Sequence, residues 1–278
     1  MRARHLHPNA PWLISPEWAA ASYPNGMNGS FVSDGHVLTR YLVHPIRRIE
    51  PGPPALLICH GFPSGPLDAR QSALTFPELC DRVAGPGNWA AMTFTFRGAG
   101  QSGGQFSLLG WLADLKAAID HLQQEVHPSS IWVVGSAAGG SLALVEAADD
   151  PRVNGIALLG ARADFDDWTE HSHKFLERAR EIGAIRDAGF PKKFSEWSSE
   201  FAKVRPLEAA RQFAPRPLLV VHGNDDDSVP SSDARRFVDA HQSAELRILA
   251  GAGHRLRHDP RAIAVLLGWL ERKLTETP

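Results

Sequence analysis

Trp132-Val133-Val134-Gly135-Ser136-Ala137-Ala138-Gly139-Gly140 is the stretch on which the reading of this chain turns. An apolar run of strand length passes into small residues, and a helix is expected to begin near Ala138. A strand that reverses into a helix over so few residues needs small side chains on both flanks of the turn. Gly135 and Gly139 stand two before and two after position 137, so the turn centres on Ala137. Centring it on Ser136 would crowd Val134 and Ala138 and aim the serine away from the apex. A plain glycine-rich phosphate loop is the other reading of such a stretch. It lacks the P-loop lysine and the spacing of a dinucleotide fingerprint.

Working outward, the same buried-strand signal recurs on both sides. Ala55 to Cys59, Ala91 to Phe96, Val153 to Leu159, Leu218 to Val221 and Leu246 to Leu249 are short apolar runs of the kind a parallel strand buried on both faces requires. Upstream, Phe31-Val32, Asp34-Gly35 and Val37 to Val43 read as strand, turn and strand, a β-hairpin. Between the runs lie helical stripes. Leu108, Trp111, Leu112, Leu115, Ile119 and Leu122 form one, and Ile263, Leu266, Leu267, Leu270 and Leu274 form another. Alternating strands and helices imply a mostly parallel sheet with helices on both faces, and ligands gathered at the carboxyl ends of the strands.

The rhythm breaks once, between Arg162 and Pro206, where charge and aromatics replace buried strands. The expected organisation is therefore an N-terminal arm at 1–28, an α/β core over 29–161 and 207–278, and a small helical cap at 162–206 inserted after the sixth strand. The arm carries Arg2, Arg4, Pro8, Pro11 and Pro16 but no apolar export segment, and Met27 is a conceivable second start.

Composition narrows the function classes. The chain has 278 residues, 43% hydrophobic and 22% charged, enough for a large core. A formal net charge of -2 provides no field to attract nucleic acid or an anionic membrane, so a small-molecule substrate is the expectation. No stretch reaches the roughly 18 to 20 apolar residues of a membrane span, and a cytoplasmic location is expected. The two cysteines, Cys59 in a strand-like run and Cys80 in a helix, do not indicate a disulfide framework.

Taken together, the strand-turn-helix at 137 and the alternation around it resemble the α/β-hydrolase family over about residues 30 to 275. In that family the turn is the nucleophile elbow, with the attacking residue at its apex. Here the apex is Ala137. The resemblance implies three further stations. His60-Gly61-Phe62-Pro63 stands where the family builds half of its oxyanion hole, with the Phe62 N–H as one donor and the Ala138 N–H as the other. Val220 to Pro230 looks like the family's acid loop, His-Gly-x-x-Asp-x-x-Val-Pro, whose register selects Asp226 and leaves Asp225 and Asp227 as alternatives. Ala250-Gly251-Ala252-Gly253-His254 follows the last strand, where the family places its catalytic histidine; the nearby His258 is read as a surface residue.

No cofactor or metal is expected. Gly98, Gly100 and Gly103 superficially match a dinucleotide run but lack its acidic partner and its opening position. His171 and His173, two apart in the cap, would point to different helix faces.

The implied activity is that of a serine hydrolase acting on a carboxylic ester through an acyl-enzyme. Thioesters, amides and activated C–C bonds are further possibilities of the same resemblance. Alanine offers no attacking atom, so the chain as given is expected to bind substrate and scarcely turn it over. Either a serine (or cysteine) has been replaced in an otherwise working hydrolase, or the chain is a non-catalytic relative that uses the pocket for binding. Retention of every other station favours the first. Cap aromatics, chiefly Phe165, Trp168, Phe175 and Trp197, are expected to line the substrate site and to select a hydrophobic ester of modest size.

Overall fold

A computed structural model describes residues 26–47, 49–63, 65, 76–84 and 88–276. Eight strands form one sheet: β1 (Met27–Ser33), β2 (His36–Val43), β3 (Pro54–Cys59), β4 (Ala90–Phe94), β5 (Ser130–Ser136), β6 (Val153–Leu159), β7 (Leu218–Gly223) and β8 (Glu245–Leu249). Their spatial order is β1-β2-β4-β3-β5-β6-β7-β8. The first two pairs in this order, β1–β2 and β2–β4, are antiparallel and the other five parallel. This is the mostly parallel sheet that the strand and helix pattern implies, and the α/β-hydrolase fold that the resemblance implies.

The hairpin joining β1 and β2 turns on Asp34 and Gly35, both at positive φ (46° and 77°), as a two-residue type I′ turn demands. Met27 and Asn28 already pair with Leu42 and Tyr41, so the sheet takes the last residues of the expected arm. Residues 1–25 of that arm lie outside the described residues. β4 stops at Phe94, two residues short of the apolar run, because the Phe96 N–H leaves the ladder for the His60 side chain.

β3 shows why these runs are apolar throughout. Ala55, Leu57 and Cys59 face one core layer, with Trp111, Leu115 and Leu142, while Leu56 and Ile58 face the other, with Leu266 and Trp269. Alternate side chains point to opposite faces, and both faces are covered. Helices α2 (Leu108–Val126) and α3 (Ala138–Asp149) lie on the first side. On the second lie α1 (residues 76–84) and α9 (Pro260–Glu276). Cys59 and Cys80 are buried free thiols on opposite layers.

After β6 the chain runs through α4 (Asp166–Glu170), α5 (Ser172–Glu181), α6 (Phe194–Lys203) and α7 (Pro206–Phe213), then returns as β7. α7 packs on α3 and on α8 (Ser232–His241). Among the described residues no helix is long and apolar enough to cross a membrane.

Candidate active site

β5 ends at Ser136 and α3 begins at Ala138, leaving Ala137 alone at the turn with φ 48° and ψ -127°. A non-glycine residue there is strained by about 1–3 kcal/mol. The surroundings hold it. Its N–H donates to the Leu159 carbonyl (2.9 Å), and its carbonyl accepts from the N–H of Gly140 (3.0 Å). The flanking glycines are required by close approach. A Cβ on Gly139 would lie 2.1 Å from the His60 carbonyl oxygen, and one on Gly135 would lie 2.3 Å from the Gly140 Cα. Ser136 belongs to the strand, buried at 6% exposure, and Ala137 is the apex.

The loops after β7 and β8 bring Asp226 and His254 together. His254 Nδ1 lies 2.9 Å from Asp226 Oδ2 and 3.1 Å from Oδ1. A carboxylate accepts, so Nδ1 carries the proton and Nε2 is left as the basic nitrogen. The acid is wholly buried and the histidine one-quarter exposed. Asp226 Oδ1 also accepts from the backbone N–H groups of Ser228 (2.9 Å) and Val229 (2.8 Å). Burial alone would raise its pKa. The hydrogen bonds from His222, His254 and these two N–H groups outweigh that and hold the carboxyl well below its ordinary range. Asp225 and Asp227, the alternatives within the acidic triplet, are exposed, as is His258.

His222, read from sequence only as part of the loop's pattern, sits fully buried behind the acid. Its Nε2 lies 3.0 Å from the Val229 carbonyl and 3.3 Å from Asp226 Oδ2. Both neighbours are acceptors, so Nε2–H donates and ties the loop to the back of the carboxylate.

A carboxyl held ionised in the fold stabilises it at neutral pH. That contribution is lost as pH falls through and below the ordinary value of 3.8. An Asp226→Asn variant is therefore expected to show a shallower loss of stability below about pH 4, followed by urea unfolding from pH 6 to pH 3. Parallel acid limbs for the two chains would contradict the depressed pKa.

The segment after β3 is fixed from the side of β4. The Phe96 N–H donates to His60 Nε2 (3.1 Å), so the proton is on Nδ1, which donates to the Gly61 carbonyl (2.7 Å). Arg97, next in the chain, is locked to the buried Asp114 by three bonds of 2.7 to 2.9 Å. Gly61 lets this segment approach the elbow, since a Cβ there would lie 2.9 Å from the Ala137 Cβ. The N–H groups of Phe62 and Ala138 have no acceptor among the described residues, and both residues border the same cavity.

That cavity, about 310 Å³, brings Ala137 and His254 to one space, together with Phe62, Trp168 and Phe175. Trp168 and Phe175 stack at 4.1 Å, and Phe62 packs on both. The other two expected substrate aromatics stand elsewhere. Phe165 (1% exposed) and Trp197 (2% exposed) are core residues, and the Trp197 indole N–H is spent on the Phe106 carbonyl. Four arginines that sequence reading did not single out border the cavity: Arg162, Arg178, Arg255 and Arg257. A second cavity of about 770 Å³ shares Pro63 but reaches neither Ala137 nor His254. His171 and His173 are both exposed, and His173 stacks on Phe194. Among the described residues no three metal-binding side chains cluster.

Similarity to known proteins agrees with this architecture. Est1E from Butyrivibrio proteoclasticus superposes with a TM-score of 0.66 at 17% identity, over 90% of this chain and 99% of its own. The Pyrococcus furiosus esterase Pf2001 gives 0.65 at 15% identity, over 95% and 96%. Est2 from Thermogutta terrifontis, solved with propionate, gives 0.64 at 23% identity, over 92% and 95%. In sequence, an uncharacterised protein of Mycobacterium tuberculosis is 28% identical over 233 residues, which is 81% of this chain and 70% of that protein. The model of the prolyl oligopeptidase family matches residues 96–277, a span holding Ala137, Asp226 and His254. This chain, with the α/β-hydrolase fold and a hydrolase's sheet order, belongs to the prolyl oligopeptidase family.

Proposed function

We propose that the chain carries the site of a serine-type hydrolase of carboxylic esters, with Ala137 standing at the nucleophile position. The observation that carries this is the Asp226–His254 pair opening onto the same small cavity as a strained strand-to-helix apex. Nothing in binding alone requires an acid to orient a histidine there. With a hydroxyl at the apex, His254 Nε2 takes its proton and the oxygen attacks the ester carbonyl. The N–H groups of Phe62 and Ala138 receive the oxyanion, and Asp226 stabilises the histidinium. His254 then protonates the leaving alcohol, and water, activated by the same base, releases the acid. The helices within 162–206 act as the cap over this cavity, through Trp168 and Phe175.

The methyl group of Ala137 closes the covalent route, so the chain as given binds substrate with little turnover. A second reading, a non-catalytic binding protein of the same fold, is favoured by Ala137 itself. Family membership keeps amide bonds in the test. The deciding experiment is Ala137→Ser, assayed on aryl and alkyl esters, thioesters and peptide amides beside the chain as given. Activity that appears with the hydroxyl and vanishes on a further His254→Ala supports the hydrolase. Absence of activity on every class, with a ligand bound equally by both chains, supports the binding protein.

A further inference from the structure

The cavity beside the elbow is bordered by Arg162, Arg178, Arg255 and Arg257 and, among the described residues, by no aspartate or glutamate, in a chain whose formal net charge is -2. These residues come from three separate places: the end of β6, helix α5, and the loop that follows β8. Arg162 and Arg178 each carry an acid partner, Asp167 and Glu181, and the guanidinium of Arg255 adds positive charge to this space of about 310 Å³ without one.

Two of the four are informative in detail. Arg162 is held in place before any ligand arrives. Its carbonyl accepts from the Ser141 hydroxyl (2.7 Å), and the next N–H, of Ala163, donates to Asp233 (2.9 Å). Its guanidinium lies over the Trp168 ring at 4.9 Å. Nε donates to the Asp164 carbonyl (3.0 Å) and one terminal nitrogen pairs with Asp167 (2.5 Å). The other terminal nitrogen has no acceptor among the described residues. Arg255 is the residue directly after His254; it is exposed, its carbonyl accepts from the His258 N–H (3.0 Å), and its guanidinium makes no ion pair or hydrogen bond among the described residues. The acids nearby are already engaged, Asp167 on Arg162, Glu181 on Arg178 and Asp226 behind His254, so none of them neutralises Arg255. A guanidinium that flanks the general base and is left without a counter-ion is stabilised by an anion entering the cavity, and the fork of N–H donors fits a carboxylate or phosphate.

We infer that the ligand of this site is an ester bearing an anionic oxygen group, carboxylate or phosphate, held by Arg162 and Arg255 while its apolar part rests on Trp168 and Phe175. The inference deepens the hydrolase reading above and rests on it for the reacting bond, but not for the anion. It also replaces a purely hydrophobic ester with an amphiphilic one.

The test uses the chain as given, whose alanine spares the ester, and titrates it by calorimetry with monomethyl succinate, with the neutral isostere methyl levulinate, and with 2-phosphoethyl acetate. An anionic ester is expected to bind at least about tenfold more tightly than the neutral one at low salt, with the advantage shrinking as salt rises. Arg255→Gln, at an exposed position, and Arg162→Gln should each reduce that ratio. Whichever anion binds more tightly names the group. Equal affinity for charged and neutral esters, or a ratio unmoved by both substitutions, overturns the inference. Kinetics of Ala137→Ser on the same esters separates the two claims. Tight anion-dependent binding with no hydrolysis sinks the hydrolase reading and leaves the anion site standing. Hydrolysis with equal kcat/KM for charged and neutral esters, alongside equal binding, does the reverse.

Discussion

Ala137→Ser is expected to raise ester turnover by on the order of a millionfold over the chain as given, the size of the loss when a triad nucleophile is removed. The magnitude follows from how much is already assembled. The backbone at 137 is bent into the strained apex, with its N–H and carbonyl engaged. His254 is oriented by two contacts to Asp226, its Nδ1 protonated and its Nε2 available. Phe62 and Ala138, whose N–H groups have no acceptor among the described residues, border the same cavity. Gly61 has no Cβ to crowd the added oxygen. On the proposed reading, a single hydroxyl is the one group the site lacks. Stopped-flow or continuous release of p-nitrophenol from short aryl esters measures the gain. On that background His254→Ala should return the rate to the level of the starting chain, because the two residues act as a unit. Asp226→Asn should lower kcat by about four orders of magnitude by favouring the wrong tautomer. An unchanged rate in Ala137→Ser on esters, thioesters and amides alike would end the case for acyl transfer at this apex.

How much of this could be read from the chain alone depends on whether the signal is local. The sheet is legible because strands covered on both faces must be apolar at every position, as Leu56 and Leu57 show by entering opposite layers. The elbow is legible because close approach admits no Cβ at Gly135 or Gly139. The pairing of Asp226 with His254 can be anticipated from loops that end adjacent strands. Properties created by the fold are not legible in that way. Phe165 and Trp197 have the same composition signal as Trp168 and Phe175, and Trp168 is buried in the core as they are, yet of the four Trp168 and Phe175 border the cavity. The four arginines lie almost a hundred residues apart at their extremes, and no local pattern joins Arg162 to Arg255. His222 is one residue in a recognisable loop pattern, but its contact with the rear of Asp226 appears only when the loop closes over Val229.

Asp114→Ala is expected to destabilise the fold by about 3–5 kcal/mol, the typical penalty for leaving one partner of a buried ion pair uncompensated. Asp114 has no solvent exposure and accepts from the Arg97 backbone N–H, Nε and Nη2. Without it the guanidinium, itself 9% exposed, keeps Ser33 and the largely solvated Asp34 at 3.0 Å as its partners among the described residues. Asp34→Ala, by contrast, removes a pair already screened by water and is expected to cost about 1 kcal/mol or less. Urea denaturation of the two variants compares them directly, through a fall in midpoint at constant slope. If the pair's attraction does little beyond offsetting its own burial, Arg97→Met combined with Asp114→Leu should recover most of the loss. The site should feel the same change. Asp114 holds Arg97, and the preceding Phe96 N–H fixes His60, whose other ring nitrogen holds the Gly61 carbonyl. Phe62, the next residue, borders the cavity and is the proposed oxyanion donor. On the Ala137→Ser background, loosening this relay should therefore lower kcat for esters more than it raises KM, because an oxyanion donor matters chiefly in the transition state. Equal effects of Asp114→Ala and Asp34→Ala on both stability and kcat would show that the relay carries nothing from α2 to the elbow.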